Sequence, residues 1–447
     1  MQRNFADWFS GWVPVWQKLS KRFKHMVDFM SQNLDCALSQ EAYTHLQKIK
    51  QADILVGIPS YNNVLTASYV ISQVVKGLET YFPHSRSVIF VSDGNSVDGT
   101  LTSIKTVQLP RTHGSQGNLD LIPAVYLGIS GKGSALKAVF VAARFLEVKA
   151  VALVDSDLRT ITPKWMDLLL TPVFEGAGLV VPYYNRRKYD GTITNFLCYP
   201  VTASLYGKNV RQPIGGDFGL SAALVEALLG SPLWQMRDVH EFGIDIFETH
   251  TALAEGFEVK QAFLGIKDHD PKDPTKQLAP MFRQVIGTMF TCIEKYESKW
   301  RPIQEVTELE MVGEEKHINS QPPIPIDLQN MINTFNEKYG SHRNLYNALL
   351  SQDLLEEFDR LQNLENSKVS VSMDAWAKTV YAFIAAFHRA EPAARESIID
   401  ALQVLWTGRL AAFIKETLLV SPAETEKQII EQACAFVRLK PYLLERY

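Results

Sequence analysis

The sequence predicts an α/β fold: a mostly parallel sheet covered by helices on both faces, with a helical extension before it and a helical region after it. Three observations predict it. Between 52 and about 300, short apolar runs ending in polar or turn-forming residues alternate with helix-length stretches. Aromatic residues near the start of the chain repeat at helical spacing, and large apolar residues do so again beyond 330. Continuous apolar runs mark strands buried on both faces, and their alternation with helices marks a parallel sheet.

The elements follow in order. Phe5, Trp8, Phe9 and Trp12 fall on one face of a 3.6-residue period. Pro14 interrupts or restarts that helix, and Lys18, Lys21, Arg22 and Lys24 follow it. Such a stretch packs its aromatics on the protein body or lies on a membrane surface. The second use needs a sustained apolar face, which Pro14 breaks. Four strands are expected: Ile54 to Ile58 ending at Pro59, Ser87 to Val91 ending at Ser92-Asp93-Gly94, Ala150 to Val154 ending at Asp155, and Gly178 to Val181 ending at Pro182. Helix-length stretches at 64–81 and 132–147 lie between them. Near 301–330 the periodicity fades, and Gln321-Pro322-Pro323-Ile324-Pro325 reads as a linker or surface loop. Beyond it, Trp376, Val380, Phe383 and Phe387, then Leu402, Leu405 and Trp406, keep helical spacing and read as core. The expected organisation is a helical extension at 1–50, the α/β domain at 51–300, a linker at 301–330 and a helical region at 331–447.

Composition narrows the class. With 46% hydrophobic and 21% charged residues, the chain is globular rather than disordered. A net charge of -4 argues against a large basic nucleic-acid footprint. The cysteines at 36, 198, 292 and 434 form no CxxC pair, so neither a zinc site nor a disulfide framework is signalled. They are expected to be free, mostly buried thiols in a reducing cytoplasm. No apolar run reaches the roughly 18 residues of a spanning helix, and the N-terminal stretch lacks the pattern of a signal peptide.

In open parallel sheets ligands sit at the carboxyl ends of the strands. Asp155-Ser156-Asp157 stands at such an end. Carboxylates at i and i+2 after a strand can reach one divalent cation, and a hard cation can carry the charge of a pyrophosphate. A solvated turn or helix cap is the plainer reading of the tripeptide alone. Pro59, Tyr61 and Asn62 follow the first strand, Tyr61 offering a ring to a nucleobase or to the loop. Asp93 follows the second and can accept from a base N–H or a ribose hydroxyl, whereas Asp98 looks like a helix cap. Gly131, Lys132 and Gly133 precede a helix, where glycines, the helix N-terminus and a lysine suit phosphate. Further on, Gly207, Lys208 and Asn209, then Asp217 in Gly215-Gly216-Asp217, suit a small anionic acceptor or a tight solvated loop. Asp245 opens an apolar helix, as a cap or as a carboxylate facing a sugar. His269 follows an apolar run, as a metal ligand or as a surface residue.

The order strand–PSYNN, strand–SDGNSVDGT, GKGSA, strand–DSD resembles the nucleotide-binding half of GT-A glycosyltransferases, of the inverting family 2 type and their retaining relatives. The likeness is good over 52–160 and weaker to about 295. With the later GKNVRQP, GIDI and late histidine, the set resembles mannosylglycerate synthase and glucosyl-3-phosphoglycerate synthase. The resemblance implies a GT-A, Rossmann-like nucleotide-diphospho-sugar transferase domain and a hexose moved from a GDP-, UDP- or ADP-sugar to D-glycerate or 3-phosphoglycerate, with retention. It implies Mg²⁺ or Mn²⁺ on Asp155, Asp157 and His269. Pro59, Tyr61, Asn62, Asp93, Gly131, Lys132, Gly133, Asp155 and Ser156 would then bind the donor. Gly207, Lys208, Asn209 and Asp217 would bind the acceptor, and Asp157, Asp245 and Lys132 would serve catalysis. A cytoplasmic enzyme making a compatible solute follows from the same likeness, with a homo-oligomer left open. The sequence departs from the family at PSYNN, where an acidic residue often sits, and in its N-terminal extension and helical tail. An inverting family 2 enzyme with another acceptor and a sugar nucleotidyltransferase are the alternatives.

Overall fold

The segments 54–58, 88–91 and 150–153 are Ile, Leu, Val, Ala and Phe except for Gly57, and side chains alternate between two faces along each of them. Leu55, Val88, Phe90, Val151 and Leu153 therefore enter one core, and Ile54, Val56, Ile58, Ile89, Val91, Ala150 and Ala152 another. The structure is a computed structural model, and it describes residues 37–109, 118–268, 278–314, 324, 326–362 and 370–447. The aromatic N-terminal stretch, Cys36, His269, Gln321 to Pro323 and Pro325 lie outside the described residues.

Helix α1 (Gln40–Ile49) leads into β1 (Ile54–Ser60), α2 (Ala67–Tyr81), β2 (Ser87–Asp93), β3 (Leu119–Val125), α3 (Lys132–Phe145), β4 (Ala150–Leu153), α4 (Lys164–Phe174) and β5 (Leu179–Asn185). A π-helical turn at Thr194–Cys198 runs into α5 (Tyr199–Tyr206), followed by β6 (Phe218–Ser221), α6 (Ile244–Ala254), β7 (Val259–Ile266), α7 (Leu278–Lys295) and β8 (Met311–Val312). Longer helices close the chain: α8 (Leu328–Tyr339), α9 (Met373–Arg389), α10 (Pro392–Thr417) and α11 (Pro422–Leu444).

The sheet order is β3-β2-β1-β4-β6-β5-β7-β8, with β6 antiparallel to both neighbours and the other pairs parallel. Helices α2 and α4 cover one face. Helices α3, α6 and α7 cover the other, and their core continues without a break into Trp376, Phe383, Leu405 and Trp406 of α9 and α10. This is the mixed α/β architecture of the GT-A fold. Helix α10 contains a stretch long and apolar enough to cross a membrane, but 78% of that stretch is buried inside the protein.

Two strands run past the prolines expected to end them. Pro59 lies within β1 because β4 pairs with β1 only as far as Gly57. Pro182 lies within β5 because β6 pairs with it only at Leu179 and Val180. In each case a residue without an N–H stands where one ladder has already stopped. Strand β3 was not expected: as an edge strand it is only half-buried, and Asp120 and Pro123 break its apolar pattern. Strand β6 follows directly on Gly215-Gly216-Asp217, and its Gly219 is required, since a Cβ there would lie 2.1 Å from the Leu169 carbonyl oxygen.

Candidate functional site

The parallel strands β1, β4, β5 and β7 all end on one edge of the sheet, and the residues leaving them surround a cavity of about 490 Å³. Strand β4 delivers Asp155, Ser156 and Asp157, and β1 delivers Pro59, Ser60, Tyr61 and Asn63. Lys132 comes from the start of α3, Asp245 from the first turn of α6 and Lys267 from the end of β7. The segment after β5 supplies Arg186 and residues 189–194. Phe242, Leu278, Met281, Val285 and Ile324 add an apolar side.

Charge is concentrated at the end of β4. Lys132 Nζ lies 3.0 Å from Asp155 Oδ1 and 3.1 Å from Asp245 Oδ1. Lys267 Nζ lies 2.7 Å from Asp155 Oδ2 and 2.7 Å from Asp217 Oδ2, and donates to the Gly215 carbonyl at 2.9 Å. Burial works against the charge on Lys132, but the Asp155 and Asp245 carboxylates outweigh it and its pKa is raised. Burial likewise opposes charge on Asp155, and the two lysines overcome it and hold its pKa down. Asp217 differs. It is fully buried, shares its single lysine with Asp155 and accepts from the Tyr184 hydroxyl. Burial, with Asp155 adding to it against the pull of Lys267, raises its pKa. Gly216 must be glycine: its φ is +92°, and a Cβ would stand 2.6 Å from Asp155 Oδ2.

Asp157 is the contrast. Among the described residues its carboxylate has no ion-pair or hydrogen-bond partner, and it lines the cavity. A hard oxygen donor open to the cavity, beside a carboxylate already held by two ammonium groups, fits a Mg²⁺ or Mn²⁺ ion at Asp157. No cluster of three or more acidic, histidine or cysteine side chains with metal-ligand geometry occurs among the described residues. His269 lies outside them.

The structure brings Pro59, Tyr61, Gly131, Lys132, Asp155, Ser156, Asp157 and Asp245 to the cavity. It places others elsewhere. Asp93 is buried beneath it and accepts from Ser60 Oγ at 2.6 Å, Ser96 N at 2.7 Å and Ser96 Oγ at 2.7 Å. Asn62 stands at φ 55° and accepts from Val97 N at 3.0 Å, outside the lining. The amides of the two glycines around Lys132 are taken up within the protein. The Gly133 amide donates to the Glu241 carbonyl at 3.0 Å and the Gly131 amide to the Tyr126 hydroxyl at 2.9 Å. A Cβ on Gly133 would come 1.8 Å from the Val239 carbonyl oxygen.

Gly207, Lys208 and Asn209 do not reach the cavity. Gly207 ends α5 at φ 65° with the Glu305 carbonyl against it, Lys208 Nζ donates to Thr307 Oγ1 at 3.0 Å, and Asn209 donates to the Glu308 carboxylate at 2.8 Å. Asp217 stands behind Lys267, outside the lining.

Sequence reasoning missed several lining residues. Lys267 ends an apolar strand just as Asp155 does, so the same signal could have found it. Asn63 accepts from Ser156 Oγ at 2.8 Å and ties the β1 loop to the β4 loop. Thr192 is buried with its hydroxyl unpartnered in the cavity wall. No local sequence signal marks it.

Residues 67–288 match the family model described as mannosylglycerate synthase, GT domain. No curated protein matches the chain. Among solved structures, glucosyl-3-phosphoglycerate synthase from Mycobacterium tuberculosis with Mn²⁺, UDP and phosphoglyceric acid is 22% identical, covering 56% of this chain and 81% of that one, with a TM-score of 0.43. The same enzyme with Mn²⁺, UDP-glucose and phosphoglyceric acid is 19% identical, covering 65% and 93%, with a TM-score of 0.43. Its complex with Mg²⁺ and UDP is 21% identical, covering 56% and 82%, with a TM-score of 0.42.

Proposed function

We propose a specific reaction for a chain that is, by its fold and its family match, a nucleotide-sugar-dependent glycosyltransferase of the GT-A fold, with a catalytic domain resembling that of mannosylglycerate synthase. It moves a hexose from a nucleotide diphosphate sugar to a small hydroxy acid such as D-glycerate or 3-phosphoglycerate, with retention. The observation that carries this reading is the division of labour at the end of β4. Asp155 is neutralised by Lys132 and Lys267, and Asp157 is left open beside it.

Asp157 would hold a divalent cation, with His269 as a second ligand. When bound, the cation would neutralise charge on the diphosphate leaving group. Lys132, paired with Asp155 and Asp245 in the cavity wall, would add a positive charge for the same leaving group. Asp245, fixed by Lys132, offers its carboxylate to the hexose hydroxyls. Tyr61, largely exposed at the β1 end, offers a face to the base. The acceptor lies toward the segment after β5, where Arg186 gives a charge and the buried, unpartnered Thr192 hydroxyl gives a hydrogen bond. Asp157 apart, each carboxylate of the described lining is paired with a cation, which leaves no covalent nucleophile, so retention would need attack by the acceptor hydroxyl on the face the leaving group vacates. The cytoplasm is the proposed compartment, in keeping with free thiols at Cys198 and Cys292.

Mass spectrometry of reactions with Mg²⁺ or Mn²⁺, each of GDP-mannose, GDP-glucose, UDP-glucose and ADP-glucose, and each acceptor tests the reading. A metal-dependent hexosyl glycerate or phosphoglycerate, with its anomeric configuration kept by NMR, is expected. Donor hydrolysis without transfer would discard the acceptor class, and an inverted product would discard retention.

A further inference from the structure

The cavity has one wall whose shape is not set by the sheet. Strand β5 lies three strand spacings from β1, about 14 Å across the sheet edge. The chain leaving it turns sharply, with Tyr189 at φ 71° and Gly191 at φ 66°, and then enters a π-helical turn. A tyrosine in the left-handed region persists only where its surroundings over-determine it.

Those surroundings come from the C-terminal helices. Lys188 Nζ donates to the Thr417 carbonyl, the last of α10, and, at 2.7 Å, to the Val420 carbonyl in the turn that follows it. The Tyr189 hydroxyl donates to the Ile414 carbonyl at 3.4 Å and accepts from Thr417 Oγ1 at 3.3 Å. A second chain of bonds starts at Glu426 on α11. Its carboxylate takes Arg211 Nε at 2.6 Å and Nη2 at 2.8 Å, the two-pronged geometry that fixes both partners. Arg211, buried, passes Nη1 to Asn195 Oδ1 at 3.0 Å, and Asn195 Nδ2 donates to the Asp190 carbonyl at 3.0 Å. Gln432 of α11 donates to the Asn195 carbonyl at 3.2 Å. Both routes end on residues 188–190, next to Thr192 and Thr194 in the cavity wall.

We infer that Glu426 and Lys188 are positioning residues through which the C-terminal helices set the acceptor-side wall of the cavity. The acceptor assignment rests on the proposed function; the control of the wall does not. The donor side is built otherwise, since Asn63, Lys132, Asp155 and Ser156 bond to one another and to the ends of β7 and α6.

Amide hydrogen exchange and steady-state kinetics on the full chain test it with Glu426→Gln, Lys188→Met and the conservative Glu426→Asp. Losing a charged hydrogen bond should speed exchange at 187–195 about tenfold in the first two, and raise the acceptor KM by a similar factor. Exchange in β1 and β4 and the donor KM should stay at wild-type values, and Glu426→Asp should recover part of the loss. Unchanged exchange at 187–195 would overturn the inference. Exchange quickened equally in β1 would also overturn it, since that marks general loosening. Should the wild-type protein transfer to no hydroxy acid, the proposed function fails, and exchange at 187–195 still decides the role of the wall.

Discussion

The two ends of the cavity are built on opposite plans. At the β1–β4 end, functional groups leave buried central strands within a few residues of the strand terminus, and ion pairs among Lys132, Lys267, Asp155, Asp217 and Asp245 hold them. At the β5 end, a twisted segment depends on helices more than 200 residues further along, through contacts such as Lys188 to Thr417 and Arg211 to Glu426. A site anchored on strand ends tolerates little change in its charges. A site propped by remote helices can be retuned from outside the cavity.

The sharpest test of the first plan is Asp157→Ala. The proposed reading puts the cation there, so hexosyl transfer should fall about 10³-fold, in the range expected when a group stabilising developing charge is lost. Mn²⁺ binding, followed by electron paramagnetic resonance, should vanish. The urea midpoint should not move, because Asp157 has no partner among the described residues. Mn²⁺ binding that survived would move the cation to other ligands.

Lys267→Met tests whether the ion pairs are structural as well. It strips Asp217 of its cation and Asp155 of one of two. Breaking a buried pair by removing one partner costs about 3–5 kcal/mol. Urea unfolding should report a loss of that order, and an unchanged midpoint would mean that water reaches these carboxylates.

His250 joins the two ends, since it sits on α6 with Asp245 and bonds Thr202 of α5, the helix that follows the β5-side wall, at 3.0 Å. Burial lowers its pKa to about 3. It stays neutral in the folded protein, whereas the unfolded chain binds a proton near the ordinary value. Its contribution is thus complete above about pH 6.5 and is lost as pH falls toward 3, at roughly 1.4 kcal/mol per unit. Glu248, buried on the same helix, works in the opposite sense: burial first and then Asp245 raise its pKa, so its contribution is lost as pH rises. Urea midpoints between pH 7 and 4 should fall less steeply with acid in His250→Phe than in the wild type. Parallel curves would assign the acid sensitivity to other groups.

The same contrast explains what the sequence revealed. Apolar runs ending in Asp155 or Pro59 carry their meaning within a few residues, because strand burial and strand-end chemistry are local. The parallel sheet and the groups at the β4 end were legible for that reason. Lys267 is legible by the same rule, since it ends the apolar run that His269 also follows. Asp93 has the composition of a ligand-binding residue, yet Ser60 and Ser96 already satisfy it. The β5-side wall gave no signal, because Thr192 and Asp190 acquire their setting from Arg211 and Glu426, and no periodicity encodes a contact across 215 residues. Gly207-Lys208-Asn209 shows the converse: its composition suits an anion, yet it lies outside the cavity lining, and Gly207 ends α5 in the left-handed region against the Glu305 carbonyl.

That loop supplies the smallest expected effect and the cleanest separation of the two ends. Lys208 is exposed and donates to Thr307, whereas Arg186 lines the cavity, with Nε 3.0 Å from Gln212 Oε1 and Nη1 3.2 Å from Asp190 Oδ2. Lys208→Ala should leave the acceptor KM and the urea midpoint unchanged, since a surface substitution away from packing or charge networks shifts stability by no more than about 0.5 kcal/mol. Arg186→Gln keeps a hydrogen-bonding side chain but removes the charge, and should raise the KM for an anionic acceptor about tenfold. If the two variants traded places, the acceptor would bind over the α5 end, and the wall propped by Glu426 and Lys188 would face something other than the acceptor.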